Sequence, residues 1–253
     1  MTTLFISDLH LQEERPAIGR AFLQLLENCG EDIEALYILG DFFEYWVGDD
    51  GITPFQGRIA DALKQFSKNV APVYFMHGNR DLLIGKEFAK KAGCTILPDP
   101  TVVDLYGEPT LLMHGDSLCT LDIAYQRFRR VTRNPIMRWL ILHLPLSYRT
   151  SSIQKLRTNS QQQGPTKSRE IMDVTPAEVE RIMAKNRCKR LIHGHTHRPA
   201  RHPMNIQGEA AERIVLGDWE QQGWLIRATP DSLELESFEI EETQPDASEK
   251  AAS

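Results

Sequence analysis

TLFISDLHL, residues 3–11, joins a short apolar run to a polar end, and the rest of the chain can be read from that succession. Leu4, Phe5 and Ile6 read as a buried strand, and the chain turns polar directly afterwards at Asp8 and His10. The pattern recurs in ALYILGDFF (35–43), a strand running into a glycine turn, and in APVYFMHGNRD (71–81). TVVDLYGEPTLLMHGDSL (101–118) reads as a hairpin turning at Tyr106-Gly107-Glu108-Pro109, its second strand ending at His114-Gly115-Asp116. RLIHGH (190–195) opens the last such stretch, LIHGHTHRPA (191–200). Helical spacing separates these strands at Ala17–Leu26, at 57–68, at 86–93 with Gly93 as the stop, and at 175–187. The last of these starts with Thr175 as N-cap, Pro176 at the first helical position and Glu178 two residues on, the pattern of a capping box. RIVLGDW, GWLIRAT and SLELESFEI follow as late strands. Strand–helix alternation followed by a run of strands predicts an α/β fold rich in β structure. Residues 120–170 break the alternation, and the polar stretch 241–253 reads as a disordered tail.

The bulk composition narrows the function classes. A chain of 253 residues with 41% hydrophobic and 25% charged residues can bury a sizeable core. A net charge of −6 argues against broad nucleic-acid binding. Cys29, Cys94, Cys119 and Cys188 are scattered, which suits reduced thiols and neither a disulfide framework nor a zinc ribbon. The first residues lack the basic region of a signal peptide, and no apolar run reaches membrane-spanning length.

The polar groups after the strands form a set: Asp8, His10, Asp41, Asn79, His114, His195 and His197. Ligands of α/β sheets gather in the crevice beyond the carboxyl ends of the strands, so five separate stretches can converge there. Carboxylate, amide and imidazole together suit Mn, Fe, Co or Zn better than an all-oxygen Mg or Ca cage. Seven groups exceed what one ion with an open position needs, and two ions sharing a carboxylate fit better. Asp-x-His or Gly-Asp alone is more often an ordinary turn, and HGHTH alone divides evenly between a metal site and a loop; their joint occurrence is what favours metal. Within HGHTH, alternation puts residues 193, 195 and 197 on one side. His193 still belongs to the strand, so His195 and His197 are the expected ligands and His193 a supporting or core histidine.

Asp8-Leu-His10, Gly40-Asp41-Phe-Phe-Glu44, Gly78-Asn79-Arg80-Asp81, His114-Gly115-Asp116 and Gly194-His195-Thr-His197 resemble the five blocks of the calcineurin-like metallophosphoesterase superfamily, over about residues 4–218. The resemblance implies a β-sandwich flanked by helices (α/β/β/α) in one domain over 1–240, and a two-metal site. Asp8, His10, Asp41 and His197 would hold one ion, and Asp41, Asn79, His114 and His195 the other, with Asp41 shared. Two such ions lower the pKa of a bridging water and clamp a phosphoryl oxygen, so the expected nucleophile is hydroxide. Many members have a histidine where this chain has Arg80. An arginine stays charged and cannot act as a general acid, but it can pair with phosphate and stabilise developing charge. A purely structural Arg80–Asp81 pair is the alternative, and Asp81 is expected to orient a neighbour.

Between Arg127 and Arg169 stand Arg127, Arg129, Arg130, Arg133, Arg138, Arg149, Lys155, Arg157, Lys167 and Arg169, ten basic residues with no acidic one, leaving −16 on the rest of the chain. The same segment holds the apolar run from Ile136 to Leu146. A helical lid insertion at about 120–170, both cationic and apolar, suits an acylated phosphorylated molecule or an anionic membrane face. A core helix with a solvated basic face is the plainer alternative. Arg80, this insertion, LIHGHTHRPA and VLGDW together resemble the superfamily's pyrophosphohydrolases of acylated UDP-sugars. That implies a manganese enzyme peripheral to the cytoplasmic face of a Gram-negative inner membrane. It would cleave UDP-2,3-diacylglucosamine at the phosphorus nearer uridine, giving UMP and 2,3-diacylglucosamine 1-phosphate for lipid A. Asn79, Arg80 and His195 would serve catalysis. Asn79, Arg80, Asp122, Tyr125, Ser160, Gly164, Lys167 and His195 would contact substrate, Gly164 through its backbone alone. A phosphodiesterase for soluble nucleotides and a non-catalytic scaffold are the rival readings.

Overall fold

The computed structural model describes residues 1–30, 32–163 and 173–242. Eleven strands form two sheets among these residues. The first sheet has the order β11(Leu233–Glu239)-β10(Gln222–Ala228)-β1(Thr2–Ile6)-β2(Ile33–Ile38)-β3(Val73–Met76)-β4(Cys94–Leu97). From β1 to β4 it is parallel, whereas β10 and β11 run antiparallel. The second has the order β5(Thr101–Leu105)-β6(Glu108–Met113)-β7(Arg190–His193)-β9(Glu209–Val215)-β8(Ala200–Ile206). There β6, β7 and β9 are parallel, with β5 and β8 antiparallel at the edges.

Alternation along each strand separates three apolar layers. Leu4 and Ile6 of β1 pack outward with α1(Pro16–Asn28), α2(Pro54–Asn69) and α3(Lys86–Ala92), through Phe22, Leu63 and Phe88. Phe5, between them in sequence, packs inward with Leu112 of β6 and Ile192 of β7. On the far face, Leu111 and Leu191 meet Val179 and Met183 of α7(Pro176–Asn186). The molecule is therefore α/β/β/α. Both faces of each sheet are covered, which is why the central strands read as unbroken apolar runs.

The structure departs from the sequence-based expectation at three points. β4 and β8 were not anticipated: β4 is a four-residue edge strand, and β8 carries Pro203, which an edge position tolerates because that ladder bond is not needed. Thr175 does stand at the N-cap of α7, but its hydroxyl accepts from Thr120 Oγ1 at 2.7 Å and makes no cap bond. Glu178 bonds Arg181, so the capping box is not formed. The hairpin turn sits at Tyr106-Gly107, both with positive φ, and Glu108 already belongs to β6.

α4(Ile123–Thr132), α5(Pro135–Leu142) and α6(Leu146–Gln163) lie between β6 and α7. Asp122 caps α4 by accepting from the Tyr125 amide, and Asn134 caps α5 by accepting from Ile136 and Met137. Three arginines counted toward a cationic face are engaged inward. Arg129 and Arg133 approach Asp116 and Asp99, while Arg149, fully buried, bonds the Val47 carbonyl and the Asp50 carboxylate. Part of the segment's positive charge therefore anchors these helices and does not await a partner. The tail 243–253 lies outside the described residues.

Candidate metal centre

The parallel strands β1, β2 and β3 end on one side of their sheet, β6 and β7 on the matching side of theirs, and the loops beyond them are stitched together by backbone. Asp8 N bonds Gly40 O at 3.1 Å and His10 N bonds Asp41 O at 3.0 Å. Gly194 N bonds His114 O at 2.9 Å, and Trp219 N bonds Asp8 O at 3.1 Å. The turns are tight: Asp8, His10, Asp41, His195 and His197 all have φ between 49° and 69°, a region that non-glycine residues avoid. Backbones also approach closely. A methyl group on Gly78 would lie 2.2 Å from the Asp41 amide nitrogen, so only glycine fits.

Two groups result. Asp8, His10 and His197 bring one ligand-type atom each to within 4.8 Å of one another, and so do Asp41, His114 and His195. In the first, His10 Nε2 and His197 Nε2 face each other at 3.4 Å, and Asp8 Oδ1 lies 3.4 Å from His197 Nε2. Asp8 is wholly buried, yet its Oδ1 has no hydrogen-bond partner. Its Oδ2 accepts from Ser7 Oγ and from the His195 amide. In the second group, His114 Nε2 lies 3.1 Å from Asn79 Oδ1 and 3.7 Å from Asp41 Oδ1. Asp41 Oδ1 also accepts from the Arg80 amide at 2.8 Å.

A row of partners not singled out from sequence stands behind the imidazoles. His114 Nδ1 donates to the Leu39 carbonyl at 2.9 Å, which leaves Nε2 with its lone pair toward the centre. His10 Nδ1 lies 3.0 Å from Glu44, too oblique for a hydrogen bond, and His197 Nδ1 lies 3.5 Å from Asp218. Such outer partners fix the tautomer and orientation of ligating histidines. Their signal in the sequence is slight: Glu44 and Asp218 each follow an apolar run and a glycine by a few residues, as surface acids often do. Asp81 is buried and accepts from the amides of Gly78 and Phe42, so it orients the two loops that flank Asp41. Burial, with the charge of Asp41 beside it, pushes its carboxyl up to about 7. Arg80 does not pair with it; its guanidinium lies 3.6 Å from Glu44.

His193 is set apart from its neighbours. It is fully buried, its Nδ1 donates to the Gly194 carbonyl at 2.8 Å, and its Nε2 accepts from Arg213 at 3.2 Å. Both nitrogens are engaged away from the two groups. Burial, reinforced by the Arg213 charge, lowers its pKa to about 3.

Electrostatics fit a cationic occupant. Burial alone would raise Asp8, but the charge of His197 3.4 Å away, with those of His114 and His10, holds it well below the usual carboxylate range. His197 is raised to about 9 despite its burial, chiefly by the neighbouring charge of Asp8. His195 goes the other way, to about 4, through burial and the neighbouring His114.

On the side of His195, α4 closes in. The Tyr125 ring lies over His195 with centroids 6.0 Å apart, and its hydroxyl donates to Asp116 at 2.8 Å. Asp116 and Asp99, with buried carboxylates, and the partly covered Arg129 and Arg133 form a charged cluster beneath it that no local sequence pattern marks. The side chain of Ser160, and Gly164 and Lys167, lie outside the described residues.

The family model for calcineurin-like phosphoesterases matches residues 1–199. This chain belongs to the calcineurin-like phosphoesterase family. The UDP-2,3-diacylglucosamine hydrolase of Pseudomonas aeruginosa is 58% identical over 226 residues, 89% of this chain and 94% of that protein. The protein of the same name from Pseudomonas putida is 56% identical over 237 residues, 94% and 99% of the two chains. An archaeal phosphodiesterase of known structure superposes with a TM-score of 0.48 at 14% identity, over 95% of this chain and 100% of that one, and is too remote to add to the assignment. A calcineurin-like phosphoesterase implies divalent metals. The orphaned Asp8 Oδ1, the facing Nε2 atoms of His10 and His197, and the Nε2 of His114 turned toward Asn79 and Asp41 are groups that such ions would satisfy.

Proposed function

We propose that this phosphoesterase hydrolyses the diphosphate of UDP-2,3-diacylglucosamine with water, attacking the phosphorus nearer uridine and releasing UMP and 2,3-diacylglucosamine 1-phosphate, a step of lipid A biosynthesis. The observation that carries the reading is the pair of ligand groups at one loop cluster, in a chain 58% identical to a protein of that name. Asp8, His10, Asp41 and His197 would hold one ion, and Asp41, Asn79, His114 and His195 the other; manganese suits this mixed nitrogen and oxygen set. Bound there, the ions supply Lewis-acid polarisation of the phosphoryl group and activation of water.

The chain's own residues do the rest. Arg80, held near the centre by the hydrogen bond its backbone N–H donates to Asp41 and by Glu44, can pair with the diphosphate and stabilise the charge that grows on it. It keeps its proton throughout, so a phosphomonoester leaving group, which departs without protonation, fits this site better than an alkoxide does. Asn79 presents its amide beside His114, and Tyr125 and Asp122 stand where α4 meets the second group. The described part of α4 to α6 exposes Ile123, Phe128, Val131, Ile136, Trp139 and Leu140, an apolar surface suited to acyl chains and to the edge of a bilayer. Among the described residues no helix is long and apolar enough to cross a membrane. We take the protein to be peripheral on the cytoplasmic face of the inner membrane, with one domain over residues 1–240 and α4 to α6 as its insertion.

Purified protein supplied with manganese is expected to release UMP from UDP-2,3-diacylglucosamine and to lose that activity on chelation. Absence of UMP release with manganese present overturns the reading. Turnover of soluble nucleotide diesters with equal efficiency would favour a general phosphodiesterase.

A further inference from the structure

Among the described side chains of α4 to α6, Arg149 alone is fully buried. It stands in the first turn of α6, and its guanidinium enters the loop that follows β2. Nε donates to the Leu144 carbonyl at 2.9 Å, in the turn between α5 and α6. Nη1 donates to the Val47 carbonyl and to Asp50 Oδ1, and Nη2 to Asp50 Oδ2, a fork on one carboxylate. The loop leaves room for it at Gly48, where φ is +127° and a methyl group would lie 2.2 Å from Arg149 Nη1. The neighbouring Asp49 turns the other way. Its carboxylate accepts from Trp46 Nε1 at 3.0 Å, from the Gly85 amide at 2.9 Å, and from the amides of Glu87 and Phe88 at 3.0 Å. Those three amides end the loop between β3 and α3 and open α3, and that loop carries Asn79 and Arg80. Residues 44–50 therefore meet the Arg80 loop twice: Asp49 grips its far end, and Glu44 lies 3.6 Å from the Arg80 guanidinium.

We propose that Arg149 is a positioning residue for Arg80. The assignment rests on the reading of Arg80 as the group that pairs with the diphosphate, and it gives the insertion a task besides receiving acyl chains. The backbone at Arg80 is fixed without the insertion, since its amide donates to Asp41 at 2.8 Å and the Gly78 amide donates to Asp81 at 2.8 Å. The guanidinium ends a long side chain that is 28% exposed, so its place depends on Glu44 and on the far end of the loop. Both are held by residues 44–50, and Arg149 fastens that segment at Val47 and Asp50. Without Arg149 the carbonyl of the buried Val47 loses this donor, and the segment must shift to find another. A misplacement of about 1 Å in a group that meets developing charge costs up to about 100-fold in rate.

A double-mutant cycle tests the proposal on the manganese-saturated full chain with UDP-2,3-diacylglucosamine. Arg149→Met is expected to lower kcat/KM roughly 10- to 100-fold in the parent chain, and by less than about 2-fold in an Arg80→Met background. Asp50→Asn keeps the shape of an exposed side chain and removes its charge; it should give the same pattern at roughly 3- to 10-fold, and it serves if Arg149→Met does not fold. The cycle is repeated on the Kd of a methylene-bridged diphosphonate analogue of the substrate, which closes it even where Arg80→Met leaves no turnover. No loss from either variant in the parent chain overturns the assignment alone. So do equal losses in the two backgrounds, read from turnover or, where turnover is absent, from binding, since a purely structural residue lowers activity by the same factor whether or not Arg80 is present. Wild-type turnover and binding in Arg80→Met overturn the reading of Arg80, and the assignment with it.

Discussion

His193 and His195 sit two residues apart at the end of one strand, and their surroundings give them different chemistry. His195 lies within ligand distance of Asp41 and His114, whereas both nitrogens of His193 are committed, one to Gly194 O and one to Arg213. A fully buried imidazole at about pKa 3 is neutral at any working pH and acts as a strut between β7 and β9. His193→Ala should therefore cost roughly 1–3 kcal/mol of stability, by stranding the Arg213 donor, while the protein still binds its full complement of manganese. His114→Ala should instead lower bound manganese toward one ion per chain. Metal analysis after gel filtration, alongside urea denaturation, checks both; loss of an ion from the His193 variant would show that this histidine does ligate. The seven candidates were legible from sequence because each follows an apolar run. The division of labour among the histidines was only partly legible, since it depends on Leu39 and Arg213, which lie far in the chain from the histidines they bond and carry no local mark.

At the scale of elements, α4 is fastened to the core by charge more than by apolar packing: none of its residues is fully buried. Arg129 and Arg133 reach the buried Asp116, and both lie within 3.6 Å of Asp99. Burial and the neighbouring Asp116 raise Asp99, while the two arginines with His114 hold Asp116 below the usual range despite its burial. Removing one arginine leaves two buried carboxylates sharing a single cation. Arg133→Met should destabilise by roughly 3 kcal/mol, toward the lower end for breaking a buried pair because Arg129 remains. It should also free Tyr125 from its place over His195 and reduce turnover of the acylated substrate more than turnover of a small phosphodiester. Equal loss on both substrates would make Arg133 a purely structural residue. From sequence these arginines counted toward a cationic face, because their partners Asp99 and Asp116 precede the basic segment and belong to other elements. The strands β1, β2, β3, β6 and β7 were readable because both faces are buried. β4 and β8 were not, since an edge strand buries only part of one face: β8 alternates exposed Arg201, Pro203 and Asn205 with inward residues that include a histidine, which blurs the period.

For the whole molecule, the centre and the core are separable. The three apolar layers close without any candidate ligand among them, so the sandwich should survive chelation. What chelation would remove is the attraction between cations and the cluster of Asp8, Asp41 and the four candidate histidines His10, His114, His195 and His197. A ligand that binds only the native state at a hundredfold excess over its Kd contributes about 2.7 kcal/mol. In a chain of this size each kcal/mol moves Tm by roughly 2–4 °C, so one saturated ion is worth about 5–10 °C and two ions up to twice that. The expected outcome is a chelated protein with unchanged far-ultraviolet circular dichroism, a Tm lowered by at least about 5 °C, and recovery of both Tm and UMP release when manganese is returned. A second rise in Tm at higher manganese would separate the two groups, the more buried Asp41–His114–His195 set being expected to fill first because water competes less for it. A Tm that does not respond to manganese, in protein that is folded and stripped, would mean that the orphaned Asp8 oxygen and the facing imidazoles have some occupant other than a metal.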